Sequence, residues 1–573
     1  MGARKARSTQ SSLELITSQV HTIWEKDKSM VASMLSLDMT GAYDRVSKER
    51  LIHNLRKYQL PKWIADFVQS FIEDRTTKLT FPGYCSETIQ IRTGIPQGSS
   101  LSPILFLFFA AELLHSLNNE PWSANGFVDD TNILVYSHST ERNCTMLEQA
   151  HKVCEDWAAR HGAAFNPTKY YLIHLTRHPG KFNMKATVRI PGFERGPSKE
   201  MRVLGVQIDT RLMWGPHIKK VKEKLQSQTR ALTRLTASTW GASLKRARQI
   251  YTAVIRPAIE FGSNTWYIQG ANKTRIASLE RVQSKCLRAV TGAFKSVPIQ
   301  VIEHEAGVAP LQDYLMTRAA QQQATGQART ITQVIQNQCK TVERRVNAVV
   351  FARTIARRRG RRGPAQGLAG EVCCKRANHL QLARLQLRQA QRRRVHAEEK
   401  DTKLVKELAE EEWKERWDKY ATEVRRYKTP AQETPGATKI QEWHKDLPKQ
   451  ISTVITLLRT EHIGLAQYLH RRKVPGWETS QCPCGERYQT PKHVVLQCPR
   501  YTTQRQELRK TLPHMDWRKL MAEAVWAREI AKWVIKTGFL EQFRLAKEYT
   551  DCTPNQERTG QKRKRTGNDK NAH

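Results

Sequence analysis

The chain has 573 residues, enough for several domains each with its own core. Lysine and arginine total 95 against 54 acids, a formal charge of +41, which argues against an ordinary soluble enzyme and for a polyanionic partner: nucleic acid first, an anionic membrane surface second. No apolar run reaches the length of a membrane span, since Glu112 ends the most apolar stretch, Ile104 to Ala111, and the 11 cysteines without a secretory signal point to a reducing compartment rather than a disulfide framework.

In chain order, the first dozen residues are basic and Ser-containing, as at the start of a mitochondrial transit peptide, although Glu14 soon follows. Leu13, Ile16, Val20 and Ile23 recur at helical period, and Leu35 to Leu37 is a short apolar strand that runs into Asp38. Lys48 to Tyr58 and Lys62 to Glu73 read as helices separated by Pro61, and Lys78 to Phe81 and Glu87 to Arg92 as strands around Pro82-Gly83. A helix is expected from Pro103 to Leu114. Gly126 to Tyr136 reads as strand, tight turn, strand, with Asp129 and Asp130 at the tip. Glu148 to His161 is an amphipathic helix, followed by a turn at Phe165-Asn166-Pro167.

Trp214, Ile218, Val221, Leu225, Leu232 and Leu235 then mark a helical stripe, with Lys219, Lys220, Lys222 and Lys224 on the other face. Basic helices follow at Leu244 to Ile255 and Arg275 to Val290. Arg353, Arg357, Arg358, Arg359, Arg361 and Arg362 lead into Gly363-Pro364 and Gly367 to Gly370, a flexible basic linker able to bind RNA without sequence preference. Leu404, Leu408, Trp413, Trp417, Tyr420 and Val424 form a further amphipathic helix, Thr429 to Ala437 is a linker, and the tail from Asp551 is polar. Its cluster Lys562-Arg563-Lys564-Arg565 reads as a nuclear-import signal or a nucleic-acid patch; the nucleus is the expected location and the mitochondrion the alternative.

Two sets of residues carry chemistry. Adjacent carboxylates at a hairpin tip repel each other, and a bound cation is the usual reason to keep them. With Asp38, Asp129 and Asp130 make an oxygen-only set free of His and Cys, which suits Mg²⁺. Two such ions roughly 3.5–4 Å apart clamp the attacking and leaving oxygens of a phosphoryl displacement. Further on, Cys482, Cys484, His493 and Cys498 supply three thiolates and an imidazole, a closed tetrahedral set for one structural Zn²⁺.

Asp38 followed by Gly41-Ala42-Tyr43-Asp44, then Thr93 to Pro103 with Gln97-Gly98, Phe127-Val128-Asp129-Asp130, Phe165 to Lys169, and Val203-Leu204-Gly205-Val206 resemble the ordered palm motifs of reverse transcriptases. The likeness is to non-LTR (LINE-type) retrotransposons, fungal-looking, over about residues 1–300. The Cys-Cys-His-Cys set likewise resembles the zinc knuckle that follows the polymerase in these elements. The resemblance implies an α/β right-hand polymerase: a palm of antiparallel sheet with packed helices, a helical thumb, a basic helical linker and a small zinc knuckle. The expected division is residual fingers 1–33, palm 34–210, thumb 211–320, basic linker and amphipathic helix 321–440, knuckle region 441–510, and tail 511–573.

It further implies RNA-directed DNA synthesis from dNTPs, an RNA template and a DNA primer or target. Asp38 and Asp129 would bridge two Mg²⁺ with Asp130 assisting, and the Met39 carbonyl would help hold one ion. The Tyr43 ring would lie under the sugar of the incoming nucleotide, where a 2′-hydroxyl would clash; a core tyrosine is the other reading. Gln97 and Gly98 would approach the template–nucleotide pair. Lys169 would protonate the leaving pyrophosphate or be simply solvated, and Tyr170-Tyr171 stands where the family carries Thr-Glu. The family's further fingers segments and an endonuclease domain are not found, so N-terminal truncation is expected, and the alternative function is a catalytically inactive nucleic-acid-binding remnant.

Overall fold

The computed structural model describes Gly2, Arg4 and residues 7–118, 122–267, 273–324, 326–359, 398–424, 428–436 and 438–543. The chain forms two compact units. The first comprises Met1–Leu225, Pro257–Leu279 and Leu311–Ala409; the second comprises Gln226–Arg256, Glu280–Pro310 and Glu410–His573.

The first unit is built on a four-stranded antiparallel sheet. Its strands are β1 (Val31–Leu37), a hairpin formed by two strands at Ser123–Phe127 and Asp130–Ser137, and a strand at Tyr171–Leu175. The Val31–Leu37 strand is central, flanked by Asp130–Ser137 on one side and Tyr171–Leu175 on the other. Successive side chains alternate across a sheet. Leu35, Leu37, Ile133, Val135 and Leu172 face a core shared with Leu51 and Leu55 of helix Lys48–Lys57, Phe106 and Phe109 of helix Ser102–Asn118, and Leu147 and Trp157 of helix Thr140–His161. The opposite face is also covered. The indole of Trp24 in helix Thr9–Lys26 donates to the Leu175 carbonyl at 3.2 Å, and Gln19 Nε2 donates to Ser123 Oγ at 2.9 Å. Burial on both sides explains why these strands read as continuous apolar runs rather than alternating ones.

The helix expected to begin at Glu148 begins at Thr140, because Ser139 caps it by accepting from the Arg142 backbone N–H. The strands expected at Lys78–Phe81 and Glu87–Arg92 pair only in short steps, Thr76–Thr77 with Ile89–Gln90 and Thr80–Phe81 with Tyr84–Cys85. They form a two-stranded ribbon on which Leu79, Phe81, Tyr84 and Ile89 are exposed. The segment expected to open a flexible linker at Arg353 is helical as far as Arg359, within one helix, Gly326–Arg359. Its buried stripe of Ile335, Val342 and Val346 has helical period, and Arg345 donates to the Trp122 carbonyl at 3.0 Å. Arg361, Arg362, the glycines to Gly370, and Lys562 to Arg565 lie outside the described residues.

The second unit is helical. Every residue of helix Lys449–Thr460 is buried, and Val454, Ile455, Leu457 and Leu458 pack with Leu520 and Met521 and with Ile530, Ala531 and Val534 of helix Ala524–Thr537. Its polar centre is Arg459, fully buried, which donates to both carboxylate oxygens of Glu305 at 2.9–3.1 Å, to Thr434 Oγ1 at 2.9 Å and to the Met521 carbonyl. A buried charge is tolerated only when paired and fully hydrogen-bonded in this way. Lys449 Nζ donates to the carbonyls of Ala289 and Val290, at the end of helix Lys273–Thr291, where a cation also meets the negative end of the helix dipole.

Candidate active site

The β1 register builds the acidic site. Leu37 pairs with Thr131, so the next residue, Asp38, stands opposite Asp130, where antiparallel partners have Cα atoms about 4.5–5.5 Å apart. Phe127 pairs with Asp130 across the hairpin, which leaves Val128 and Asp129 as its two-residue turn. Val128 has φ +60°, an unusual conformation for a β-branched residue. Asp129 is exposed at the tip, whereas Asp130 begins the strand and is half-buried.

A cavity of about 720 Å³ opens here, lined among others by Asp38, Met39, Tyr43, Gln97, Gly98, Asp129 and Lys169. All the residues singled out from sequence for catalysis and nucleotide contact therefore meet at one place, except that Asp130 sits beside the cavity rather than on its wall. Lys169 Nζ donates to Asp38 Oδ2 at 3.2 Å. The turn that carries Lys169 is fastened at both ends. Asn166 N–H donates to the Asp38 carbonyl at 3.0 Å, and the buried Tyr170 hydroxyl lies 3.1 Å from His151 Nε2. Burial, with Asp129 and Asp38 adding their charge, pushes the Asp130 carboxyl up to about 6. Burial first and the Asp129 charge second raise the Tyr43 phenol. The Tyr43 ring also packs on Phe106 at a centroid distance of 5.5 Å, so it joins the core with one edge and the cavity with the other.

Gln97 Nε2 donates to both oxygens of Asp44 at 3.1 Å. Asp44 is thus a tether for the Gln97 loop. Gly94, at φ +86°, lies so close to residues 43–44 that a Cβ there would come within 2.7 Å of the Asp44 carbonyl oxygen, while its N–H donates to the Val46 carbonyl at 2.8 Å. Gly98 has φ +89° and open space on its Cβ side. The donor set around Asp38, Asp129 and Asp130 is crowded, anionic and all oxygen, which fits a hard divalent cation.

The second site lies in the helical unit. The ligand atoms of Cys482, Cys484, His493 and Cys498 all lie within 4.8 Å of one another. Cys482 Sγ is 3.8 Å from Cys498 Sγ, and Cys484 Sγ is 3.2 Å from His493 Nε2. A tetrahedron with 2.3 Å metal–sulfur bonds has edges of about 3.8 Å, so the set fits zinc. Gly485, at φ +97°, closes the first turn, with its N–H on the Cys482 carbonyl. Burial pushes the Cys482 thiol up to about 12, while the Glu486 backbone N–H holds the more exposed Cys484 below the usual thiol value. The spacing of His493 and Cys498 depends on a feature that no sequence signal marked: His493–Gln497 is a π-helical turn, and Cys498 N–H donates to the His493 carbonyl at 2.7 Å.

Residues 1–208 match the family described as reverse transcriptase (RNA-dependent DNA polymerase). The chain is 25% identical over 288 residues to the RNA-directed DNA polymerase from mobile element jockey of Drosophila melanogaster, a match covering 49% of this chain and 31% of that relative. It is 25% identical over 306 residues to a putative 115 kDa protein in type-1 retrotransposable element R1DM of the same species, covering 51% and 29%. A Pol polyprotein from type-1 retrotransposable element R2 of Popillia japonica is 29% identical over 152 residues, covering 25% and 24%. The chain spans about a third or less of the length of these relatives. Among solved structures, telomerase from Candida tropicalis with a TWJ fragment of telomeric RNA matches 57% of this chain and 52% of that one, at 14% identity and a TM-score of 0.31. Residues 1–208 are a reverse transcriptase domain with homology to non-LTR retrotransposon polymerases.

Proposed function

We propose that this chain is the RNA-directed DNA polymerase of a LINE-like retrotransposon, extending a primer 3′-hydroxyl by attack on the α-phosphate of a dNTP. The observation that carries the proposal is the pairing of the β1 strand with the hairpin strand, which sets Asp38 opposite Asp130 and puts Asp38 on the same cavity wall as Asp129 and Lys169. Asp38 and Asp129 would hold two Mg²⁺ with Asp130 beside them and the Met39 carbonyl as a further oxygen. The ions would supply charge stabilisation at the attacking, leaving and transferring oxygens.

Everything else falls to the protein. The Tyr43 ring supports the sugar and Gly98 lets the base pair come close. Gln97, tethered to Asp44, fixes the loop that carries it. Lys169, which donates to Asp38, would give a proton to the departing pyrophosphate as a general acid. No covalent enzyme intermediate is needed, and alignment and electrostatics provide the rate gain.

The Cys482, Cys484, His493 and Cys498 set would hold one structural zinc, and its unit would help grip template RNA or target DNA. The cluster Lys562 to Arg565 would direct the chain to the nucleus. Primer extension on an RNA template tests the central reading: synthesis by the wild-type chain that is lost in Asp129→Ala supports it. A wild-type chain that binds RNA but makes no DNA would instead support an inactive nucleic-acid-binding remnant.

A further inference from the structure

The π-helical turn His493–Gln497 leaves carbonyls without their usual intrahelical partners just where two of the four Cys/His ligands attach. Two of those carbonyls, and that of Cys498 just after the turn, are taken up by one side chain. Arg505, only 3% exposed, donates from Nε to the Val495 carbonyl at 2.7 Å and from Nη2 to the carbonyls of Val494 at 3.2 Å and Cys498 at 2.5 Å. Among the described residues, no carboxylate is paired with this guanidinium. A buried cation of this kind needs negative charge nearby. Partial charge comes from the carbonyl oxygens at the C-terminal end of the turn. Full charge would come from the ligand set, because a divalent zinc on three thiolates and a neutral imidazole leaves one net negative unit.

We infer that Arg505 is the positioning residue of the Cys482–Cys498 metal site: its planar fork shapes the π-turn that sets the His493-to-Cys498 spacing, and its charge offsets that of the zinc–thiolate group. The inference rests on the zinc reading above. Lysine at this position would keep the charge but could not hold three divergent carbonyls in one plane. Methionine would keep bulk and lose both functions. Its hydrogen bonds go to backbone carbonyls, so its effect passes through the backbone and through the field at the site. Outer-shell partners of this kind are worth roughly 10–100-fold in metal affinity.

The test uses the full chain. Zinc affinity is measured by competition with a chromogenic chelator, the Co²⁺-loaded protein gives an absorption spectrum, and thermal melts compare metal-loaded with chelator-stripped protein. Arg505→Met is expected to bind zinc about 10–100-fold more weakly, with altered Co²⁺ bands and a melting point lowered more in loaded than in stripped protein. Arg505→Lys is expected to fall between methionine and wild type. Wild-type zinc affinity in Arg505→Met overturns the inference, as does an equal drop in melting point with and without metal. If the methionine variant does not fold, wild-type affinity in Arg505→Lys overturns it. A wild-type chain that takes up no zinc overturns the zinc reading itself, whereas a zinc-binding wild type with an indifferent Arg505 overturns this inference alone.

Discussion

The carboxylate cavity of the first unit and the Cys/His cluster of the second are opposites in donor chemistry and in exposure. Asp38, Asp129 and Lys169 line an open cavity and are only loosely paired, with Asp38 and Lys169 partly exposed. Cys482, His493 and Cys498 are buried, Cys484 is half-buried, and the four ligand atoms lie within 4.8 Å of one another. Hard oxygen ligands on an open surface leave coordination positions for phosphates and water, as a phosphoryl-transfer site requires. A saturated sulfur–nitrogen set has nothing left to offer chemistry and gives its binding energy to folding. On the reading proposed above, one region would serve turnover and the other shape.

The largest effect should come from breaking the open site. Asp129→Asn is expected to lower primer-extension rate by at least about 10³-fold, roughly 4 kcal/mol of transition-state stabilisation, with template RNA affinity within about twofold of wild type. If extension persists, the carboxylates are not the metal-binding set. Next, Cys498→Ser should reduce bound zinc per chain to near zero and lower the melting temperature of the second unit by several degrees, as read by metal analysis and calorimetry. Any extension it loses should return when the variant is cooled below its melting point. Failure to recover would erase the contrast between turnover and shape.

Lys169→Gln should cost about 10²-fold in kcat with little change in the KM for dNTP, because a proton donor to the leaving group acts late. An unchanged kcat would leave Lys169 as a mere counter-ion to Asp38.

The smallest effect concerns acid. His444 is completely buried, with neither ring nitrogen hydrogen-bonded, and burial together with Arg459, Lys449 and Arg528 lowers its pKa to about 3. In the unfolded chain it takes up a proton near its usual value of about 6.5. Between those pH values the unfolded state binds more protons, so the second unit keeps its full stability above about pH 6.5. It should then lose about 1.4 kcal/mol per pH unit on acidification toward pH 3 from this group. His444→Phe should flatten that slope in urea denaturation midpoints taken between pH 7 and 5; an unchanged slope would assign the acid sensitivity elsewhere.

The two sites also differed in how plainly the amino-acid order announced them. The Cys/His ligands fall within one short stretch and the spacing alone proposes a metal, but the π-turn and Arg505 are invisible in spacing because both arise from tertiary packing of Val494, Val495 and helix Thr502–Thr511. Asp129 and Asp130 could be placed on a hairpin from their β-forming flanks. Asp38 could be proposed as a third carboxylate at the end of a short apolar strand, but nothing local in Leu35 to Asp38 says which strand it will pair with. The tether from Gln97 to Asp44 and the Tyr170–His151 pair are side-chain contacts between distant segments, beyond the reach of periodicity. Helix Gly326–Arg359 was obscured because its arginines read as a solvated linker, although Ile335, Val342 and Val346 already carried the period of a packed face.

The central position of the Val31–Leu37 strand has a consequence for how the protein is made. Both of its neighbours, Asp130–Ser137 and Tyr171–Leu175, emerge from the ribosome long after it does. At about 5–20 residues per second, this most apolar strand waits on the order of ten seconds with both edges unpaired. Chaperone capture of the nascent chain should therefore peak before Leu175 is synthesised and fall once the last strand can dock.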